Sequence, residues 1–505
     1  MSSDPQKQSA DRPNSRLSLF GTAAAPIGTM LMLFAAAAVF EARNLSSLTA
    51  LSNGDIWWHL STGIWILQNH GVPHSGLFSQ SSELPWTASS WGYDLLVAVG
   101  FRMLGLRSIP FLLMAFKLAF AVVTFLLAGG LRGSFWPAVA LSATAQYILG
   151  SVQPGPGYCS VLFFAVELLL LNESRRRGIR FLFWLPPLFL VWANLDIQFV
   201  FGILLLALFL ATSFLQDVGR RWGVDLPQKW AGVSPKNAGI LAALCGIATL
   251  ATHYYYHLYG VFFAGVTSAA NRYFPGFRAM GFRQPQDYVL MLLTMGGFLA
   301  LGMRRSRDPF QISLMIVCTM LSFRAQRDAW FAALAAIAVI GEAVGDTHIT
   351  ADADNGREWN RRVLIAGGLA VAVGMLTAAL GIPRGHDALL AKVAQTYPVA
   401  ACNYIREHHL PQPLFNSYDW GGFLTWYLQE YPVAIDGRNG LYDDDFVVQY
   451  FKAMNAEAPY QSYPAMANAG TLLLQRNSLM GQALSTLPAF RVAYSDSVAV
   501  VLIKP

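Results

Sequence analysis

The stretch Asn53-Gly54-Asp55-Ile56-Trp57-Trp58-His59-Leu60 puts a carboxylate, an imidazole and two tryptophans within eight residues. Asn53 and Gly54 suit a turn, and Asp55 suits the start of the helix that follows. On that helix Asp55 and His59 are four residues apart and share a face. Trp57, Leu60, Ile64 and Leu67 fall on another face, as in a helix lying along a membrane surface. A carboxylate held there can take a proton from a hydroxyl as its oxygen attacks an electrophile. Other polar residues stand at the ends of apolar segments: Gln153, Asn194, Asp196, His253 to His257, Arg272, Arg278, Arg283, Arg324, Arg327 and Asp328. Ionisable groups there are costly unless paired or facing water, so each is a candidate for function. Guanidinium forks match phosphate oxygens, which gives the arginines a donor phosphate to hold.

Each residue also has a plainer reading. Asp55 caps a helix, and His59 steadies that cap. Trp57, Trp58 and Trp65 form either an aromatic belt or a platform for sugar rings. Arg324 and Arg327 pair with Asp328 or Asp196, and Asp196 is solvated at a span end. Arg272, Arg278 and Arg283 meet anionic lipid. Asp443-Asp444-Asp445 opens a helix rather than binding calcium.

The elements that position these residues follow from composition. Of 505 residues, 54% are hydrophobic and 13% charged, with mean hydropathy +0.40. Soluble domains carry roughly 25% charge. Repeated apolar runs then imply an α-helical polytopic membrane protein. The net charge of +6 sits mostly in short loops, where it sets orientation, and no nucleic-acid partner is expected. Cys159, Cys245, Cys318 and Cys402 form no C-x-x-C pair, so neither a disulfide framework nor a cysteine metal site is expected.

Residues 1–16 read as a disordered cytoplasmic tail and 17–382 as the transmembrane domain. About eleven spans are expected: 17–40, 109–130, 134–150, 158–173, 181–195, 199–215, 238–252, 287–303, 309–323, 328–345 and 363–382. Residues 41–108 form the first extracytoplasmic loop, with a second interfacial helix at 91–106; the alternative, a transmembrane span there, would turn the register over and put Arg175-Arg176-Arg177 outside. The interfacial reading puts Arg132, Arg175-Arg176-Arg177, Arg220-Arg221, Arg304-Arg305 and Arg361-Arg362 on one side, as the positive-inside rule requires. Residues 383–505 contain no spanning run and read as an extracytoplasmic α/β domain. Its expected strands are 414–416, 431–436, 471–474 and 498–503; its expected helices are 391–407, 422–429 and 444–454.

The aspartate stretch, continued through Ser61-Thr62-Gly63, resembles the GT-C superfamily of polyprenol-phosphate-sugar-dependent glycosyltransferases. It is most similar to a large bacterial branch with a D-x-W-W-H-L-x-x-G motif. Ile66, Pro73, Phe78-Ser79 and Trp86 continue the likeness, and Trp192-Ala193-Asn194-Leu195 resembles a W-A-N-L-H element. In the tail, Phe415 to Leu424 resembles F-N-x-Y-x-W-G-G-y-L, and Ile435 to Tyr442 resembles I-D-G-R-x-x-L-Y. The resemblance implies a catalytic acid in the first loop, Asp55 here, with a divalent metal (Mg or Mn) in some members only. The chain departs from the pattern at Asp196, where His is usual, at Ser89-Ser90, where His-Glu is common, and at Gln153, near a frequent arginine. No second acid adjoins Asp55.

The expectation is therefore an inverting GT-C-type glycosyltransferase in a bacterial inner membrane, N-terminus cytoplasmic and tail domain outside. It would move a sugar from a polyprenyl-phosphate donor to an extracytoplasmic acceptor. Asp55 and His59 are the expected catalytic residues. Trp58, Asp196, Arg272, Arg283, Arg324, Arg327, Trp420, Asp436 and Arg438 are expected to bind substrate, and no metal ligands are assigned. Membrane lipids and envelope proteins are the other expected partners. The alternative is a catalytically inactive subunit of a cell-envelope assembly whose tail domain binds a partner. A transporter would show paired broken helices in corresponding halves, and no such symmetry is visible.

Overall fold

The computed structural model describes residues 51–131, 135–150, 155–222, 235–304, 308–348, 361–383, 385–438 and 440–504, with parts of 30–38. Most of the expected first span and tail 1–16, together with Gln153, lie outside the described residues. The chain is mostly helical. Two helices open it, α1 (Asp55–Asn69) and α2 (Trp91–Leu104). A bundle follows: α3 (Ser108–Leu127), α4 (Phe135–Leu149), α5 (Gly157–Arg177), α6 (Leu185–Leu195), α7 (Phe199–Arg221), α8 (Pro235–Leu250), α9 (His257–Thr267), α10 (Pro285–Met303), α11 (Pro309–Arg324), α12 (Trp330–His348) and α13 (Arg361–Gly381).

Each of the other ten expected spans coincides with a helix, but not each is a full span. Among the described residues, five helical stretches are long and apolar enough to cross a membrane. A sixth counts if 365–381 and 386–393, bent by 67°, are one span. Helices such as Pro309–Arg324 are apolar but shorter. The segment expected as a separate interfacial helix runs almost continuously into α3, and Trp91–Leu127 is one of the five stretches. Gly105, at φ 59°, and a 3-10 turn at Gly105–Arg107 interrupt it. Helix α9 lies in what the sequence reading left as loop.

Local chemistry explains the helix starts. Pro285 and Pro309 begin α10 and α11, where a missing N–H costs nothing. Gln284 and Asp287 form a capping box, and the Asp308 carboxylate accepts from Phe310 N. Side-chain pairs fix one end of the bundle. Arg175 of α5 pairs with Asp308, Arg176 and Arg304 each lie 3.7 Å from Glu342, and Gln311 donates to Glu342 at 2.6 Å. The ends of α5, α10, α11 and α12 thus meet around two acids, and this is the arginine-rich end.

The tail domain stands at the opposite end. Its helices are α14 (His386–Val393), α15 (Val399–Glu407), α16 (Tyr418–Tyr427), α17 (Asp444–Met454), α18 (Pro464–Ala467) and α19 (Leu479–Ser485). Its strands are β1 (Leu414–Asn416), β2 (Thr471–Gln475), β3 (Arg491–Ser495) and β4 (Ala499–Ile503), in the order β1-β2-β4-β3, with β1 parallel to β2 and the other pairs antiparallel. The expected helix 391–407 is two, because Pro398 interrupts it. The expected strand 431–436 is not in the sheet: Val433 pairs instead with the first loop, donating to Phe78 O at 3.0 Å and accepting from Gln80 N at 2.9 Å. Its apolar residues are buried by that loop, so its pattern reads as a strand.

Candidate functional site

Asp55 is the first residue of α1, and its N–H donates to Asn53 Oδ1 at 3.0 Å. The Trp58 indole, one turn on, donates to Asp55 Oδ1 at 3.2 Å. The tail domain closes over this carboxylate. A methyl group on Gly437 would lie 2.1 Å from Asp55 Oδ1 and 3.5 Å from Trp58 Nε1, so any side chain there would push the carboxylate out of its place. A methyl group on Gly422 of α16 would lie 2.4 Å from Gly54 O. The carboxylate is half-buried. Burial pushes its pKa above the usual carboxylate value, and Asp436 and Asp419 push the same way; His59 and the Trp58 indole pull it down.

The helix that carries Asp55 is covered by protein around its tryptophans. Trp57 is fully buried, stacked on Trp426 at 4.8 Å with Tyr397 and Phe423 edge-on to it. Trp58 is buried too, near Trp86, so the aromatic-belt reading fails for both because the tail domain covers them. His59 faces Asp94 of α2: its Nδ1 stands 2.5 Å from Asp94 Oδ1. Ser90 Oγ lies 3.4 Å from the same oxygen, and all three side chains are buried.

Asp196 caps the end of α6 in the turn to α7, and it is buried rather than solvated. It accepts from Ser160 Oγ at 2.5 Å, and Ser160 accepts from the Trp192 indole at 2.7 Å. Burial raises its pKa to about 6, against the lowering pull of Ser160, the Ile197 N–H and the charges of Arg327 and His59. The turn between α11 and α12 brings in Arg324 and Arg327, 3.8 and 3.4 Å from the buried Asp328. Arg324 is exposed, and Arg327 lies over the Phe277 ring at 3.8 Å. Asp55, His59, Asp196 and Arg327 thus stand at the same end of the bundle.

Other expected site residues present no free surface beside Asp55 or stand apart from it. Asp436 and Arg438 form a forked pair with no side-chain exposure, and Arg438 also donates to Leu77 O and lies 5.2 Å from the Trp86 ring. This pair fastens the tail to the first loop and presents no binding surface. Trp420 is buried in the domain, its indole donating to Thr396 O at 3.2 Å. Arg272 and Arg283 are exposed on the segment between α9 and α10. That segment packs on the tail: Tyr273 stacks on Phe451 at 5.0 Å, and Asp444 accepts from Ser268 Oγ at 2.6 Å. Asp443 caps α17, as its acidic run predicts.

Sequence reasoning missed Asp94, Ser160 and Gly437. Asp94 carried a signal, a lone acid in an apolar helix. Ser160 and Gly437 carried none, because their roles come from neighbours distant in the chain. Among the described residues no three His, Cys, Asp or Glu side chains are placed to ligate a metal. Asp436, the acid nearest in kind, is committed to Arg438.

No family model matches the chain, and no curated protein matches it. Among solved structures it is similar to ArnT from Cupriavidus metallidurans bound to undecaprenyl phosphate, at 13% identity and a TM-score of 0.43, over 93% of this chain and 97% of that one. It is similar to the apo state of the same protein at 14% identity, with the same TM-score and coverage.

Proposed function

We propose that the chain is an inverting glycosyltransferase that moves a sugar from a polyprenyl-phosphate donor to an acceptor hydroxyl at the tail-domain end of its bundle. The observation that carries this reading is the state of Asp55. It is a half-buried carboxylate with raised pKa, fixed by an indole and by the backbone of a second domain. Perturbed acids of this kind suit general-base work. In the proposed step the acceptor O–H gives its proton to Asp55 while its oxygen attacks the anomeric carbon. The bond from that carbon to the phosphate oxygen breaks, and its electron pair leaves with polyprenyl phosphate. One displacement inverts the anomeric centre. Arg324 and Arg327 hold the phosphate and offset its charge, and Arg272 and Arg283 give the exposed rim a positive charge for the lipid. Trp58 and Asp196 shape the acceptor side.

The reading places the protein in the bacterial inner membrane, arginine-rich end in the cytoplasm and tail domain outside. The shared position of Arg175, Arg176 and Arg304 supports that orientation. A second reading, an inactive subunit of an envelope assembly, draws on the sealed Asp436–Arg438 pair and on the contacts of Arg324 and Arg327 with Asp328. The two separate by assay. Purified protein in nanodiscs is given a panel of polyprenyl-phosphate hexoses and pentoses with extracted envelope glycolipid as acceptor. Transfer with inverted linkage supports the enzyme; no transfer from any donor favours the subunit.

A further inference from the structure

Helix α9 and the turn before it, 251–256, take no part in the proposed transfer. From Asn237 to Asn271 the chain carries no Asp, Glu, Lys or Arg, and that stretch holds most of α8, the turn and all of α9. Both helices are apolar, and both are shorter than the stretches that can cross a membrane. The inward side of α9 is committed to the bundle. Leu258 is buried, Tyr259 stands edge-on to Phe199 at 5.3 Å with its hydroxyl 2.6 Å from Thr249 Oγ1, and Phe262 stands edge-on to Phe201 at 5.2 Å. Those partners are the tail-domain ends of α7 and α8. The outward side is bare of charge: His257, Gly260, Phe263, Ala264 and Thr267 are exposed at helical spacing, Phe263 by 59%. The turn adds Tyr255 and Tyr256, 63% and 68% exposed, with Tyr255 at a left-handed φ of 46°. Tyr254 is instead buried, its hydroxyl donating to Pro73 O at 2.6 Å and accepting from Ala88 N at 3.1 Å.

Contact with water does not explain such a face. Helix α17 of the tail domain shows what a water-facing helix of this chain carries: its exposed residues are Asp445, Gln449 and Lys452. An exposed apolar face without charge fits an apolar or amphipathic partner. Charge returns directly after α9, at the exposed Arg272, Arg278 and Arg283. An apolar helix with tyrosines at one end and arginines beyond the other suits the boundary between lipid headgroups and acyl chains. There the tyrosine ring finds both an apolar and a polar side, and the arginine stem lies in lipid while its head stays wet. The exposed Ile240, Leu244 and Ile247 of α8 lead into this face. We infer that α9 is an interfacial helix whose outward face is seated in the bilayer surface at the tail-domain end, its partner the phospholipids themselves. In that position Phe263 reaches the acyl chains, and the phenols of Tyr255 and Tyr256 stay among the headgroups. The contact also sets the level of the candidate site. Tyr254 ties the turn to the first loop, and Ser268, one residue past α9, donates to Asp444 of the tail domain at 2.6 Å. The first loop and the tail are thereby held at the headgroup plane. The inference needs a bundle that crosses a membrane; it does not need the transferase reading.

The test reads lipid contact directly. Full-length protein is assembled into nanodiscs of phosphatidylethanolamine and phosphatidylglycerol, with a nitroxide label at Phe263→Cys or, on the same face, at Ala264→Cys. The native Cys159, Cys245, Cys318 and Cys402 are all buried, so the introduced thiol takes the label. Leu292→Cys on α10 and Leu479→Cys on α19, at positions 62% and 66% exposed, are the lipid and water references. Power saturation compares collisions with oxygen, which concentrates among acyl chains, and with a water-soluble nickel chelate. At 263 and 264 oxygen is expected to relax the label more than nickel does, as at 292, and the order reverses at 479. Labels at both 263 and 264 that nickel relaxes more overturn the inference, because the face then meets water. Labels shielded from both reagents overturn it too, because protein, such as a second copy of the chain, then covers the face. Ala264→Cys exchanges one small exposed side chain for another, so it carries the test if Phe263→Cys does not fold. The labels report in the same way whether or not transfer is found, so failure here leaves the transferase reading standing.

Discussion

The tightest constraint on the candidate base comes from Gly437, nearly four hundred residues away in the chain. Gly437→Ala adds one methyl group, 2.1 Å from Asp55 Oδ1. Heavy atoms at rest stand about 3.5–4.0 Å apart, so the gap is short by more than about 1 Å. Backbone on both sides is fixed, by the Asp436–Arg438 fork and by the turn at Asn53, and the carboxylate must give way. It then leaves the Trp58 indole. A displacement of about 1 Å at a reacting group costs about 10²-fold in rate. The displaced atom is the end of a side chain, so the fold loses at most about 1–3 kcal/mol to overpacking. The assay is transfer by purified Gly437→Ala in nanodiscs, beside its thermal midpoint. Gly302→Ala on α10, with nothing within 4 Å of the new methyl, is the control. A Gly437→Ala protein that transfers at the wild-type rate would refute the reasoning, because the carboxylate would then not need its present place.

Further outcomes are expected. Asp55→Asn removes a charge that burial disfavours: a raised carboxyl pKa means the ionised form costs stability, increasingly as pH rises from the unfolded value through the folded one. The Asn variant should melt no lower than the wild type at pH 8, and its advantage should shrink toward pH 4. Arg438→Ala leaves Asp436 buried and unpaired, at a cost of about 3–5 kcal/mol, seen as loss of folded protein rather than as a kinetic change. Trp58→Phe removes the donor to Asp55, so the acid limb of the rate profile should rise. Arg327→Gln should raise donor KM more than it lowers kcat, and transfer should persist in EDTA.

Periodicity and charge found the helices but not their lengths. Apolar runs mark where α3 to α8 and α10 to α13 lie, because burial in lipid or protein demands the same side chains. They do not say which are full spans, since a helix covered by its neighbours reads like one that crosses. The Gly105 break and the two-helix form of 386–407 turn on single residues. The same limit governs the site. The helix start at Asp55 was legible from Asn53-Gly54-Asp55, because a turn and a helix start are local; Asp55 itself makes no cap and is the first helical residue. The burial of Trp57 and Trp58 was not, because it depends on a domain more than 300 residues later. Asp436-Gly437-Arg438 looked like binding residues; the structure makes two of them a clamp and the glycine between them the wall of the site.

The central claim is that Asp55 takes the acceptor's proton. Single-turnover transfer by Asp55→Asn, in nanodiscs with saturating polyprenyl-phosphate sugar, tests it most directly. The account predicts a rate about 10²–10⁴-fold lower with donor still bound. An Asp55→Asn protein that turns over like the wild type would contradict it.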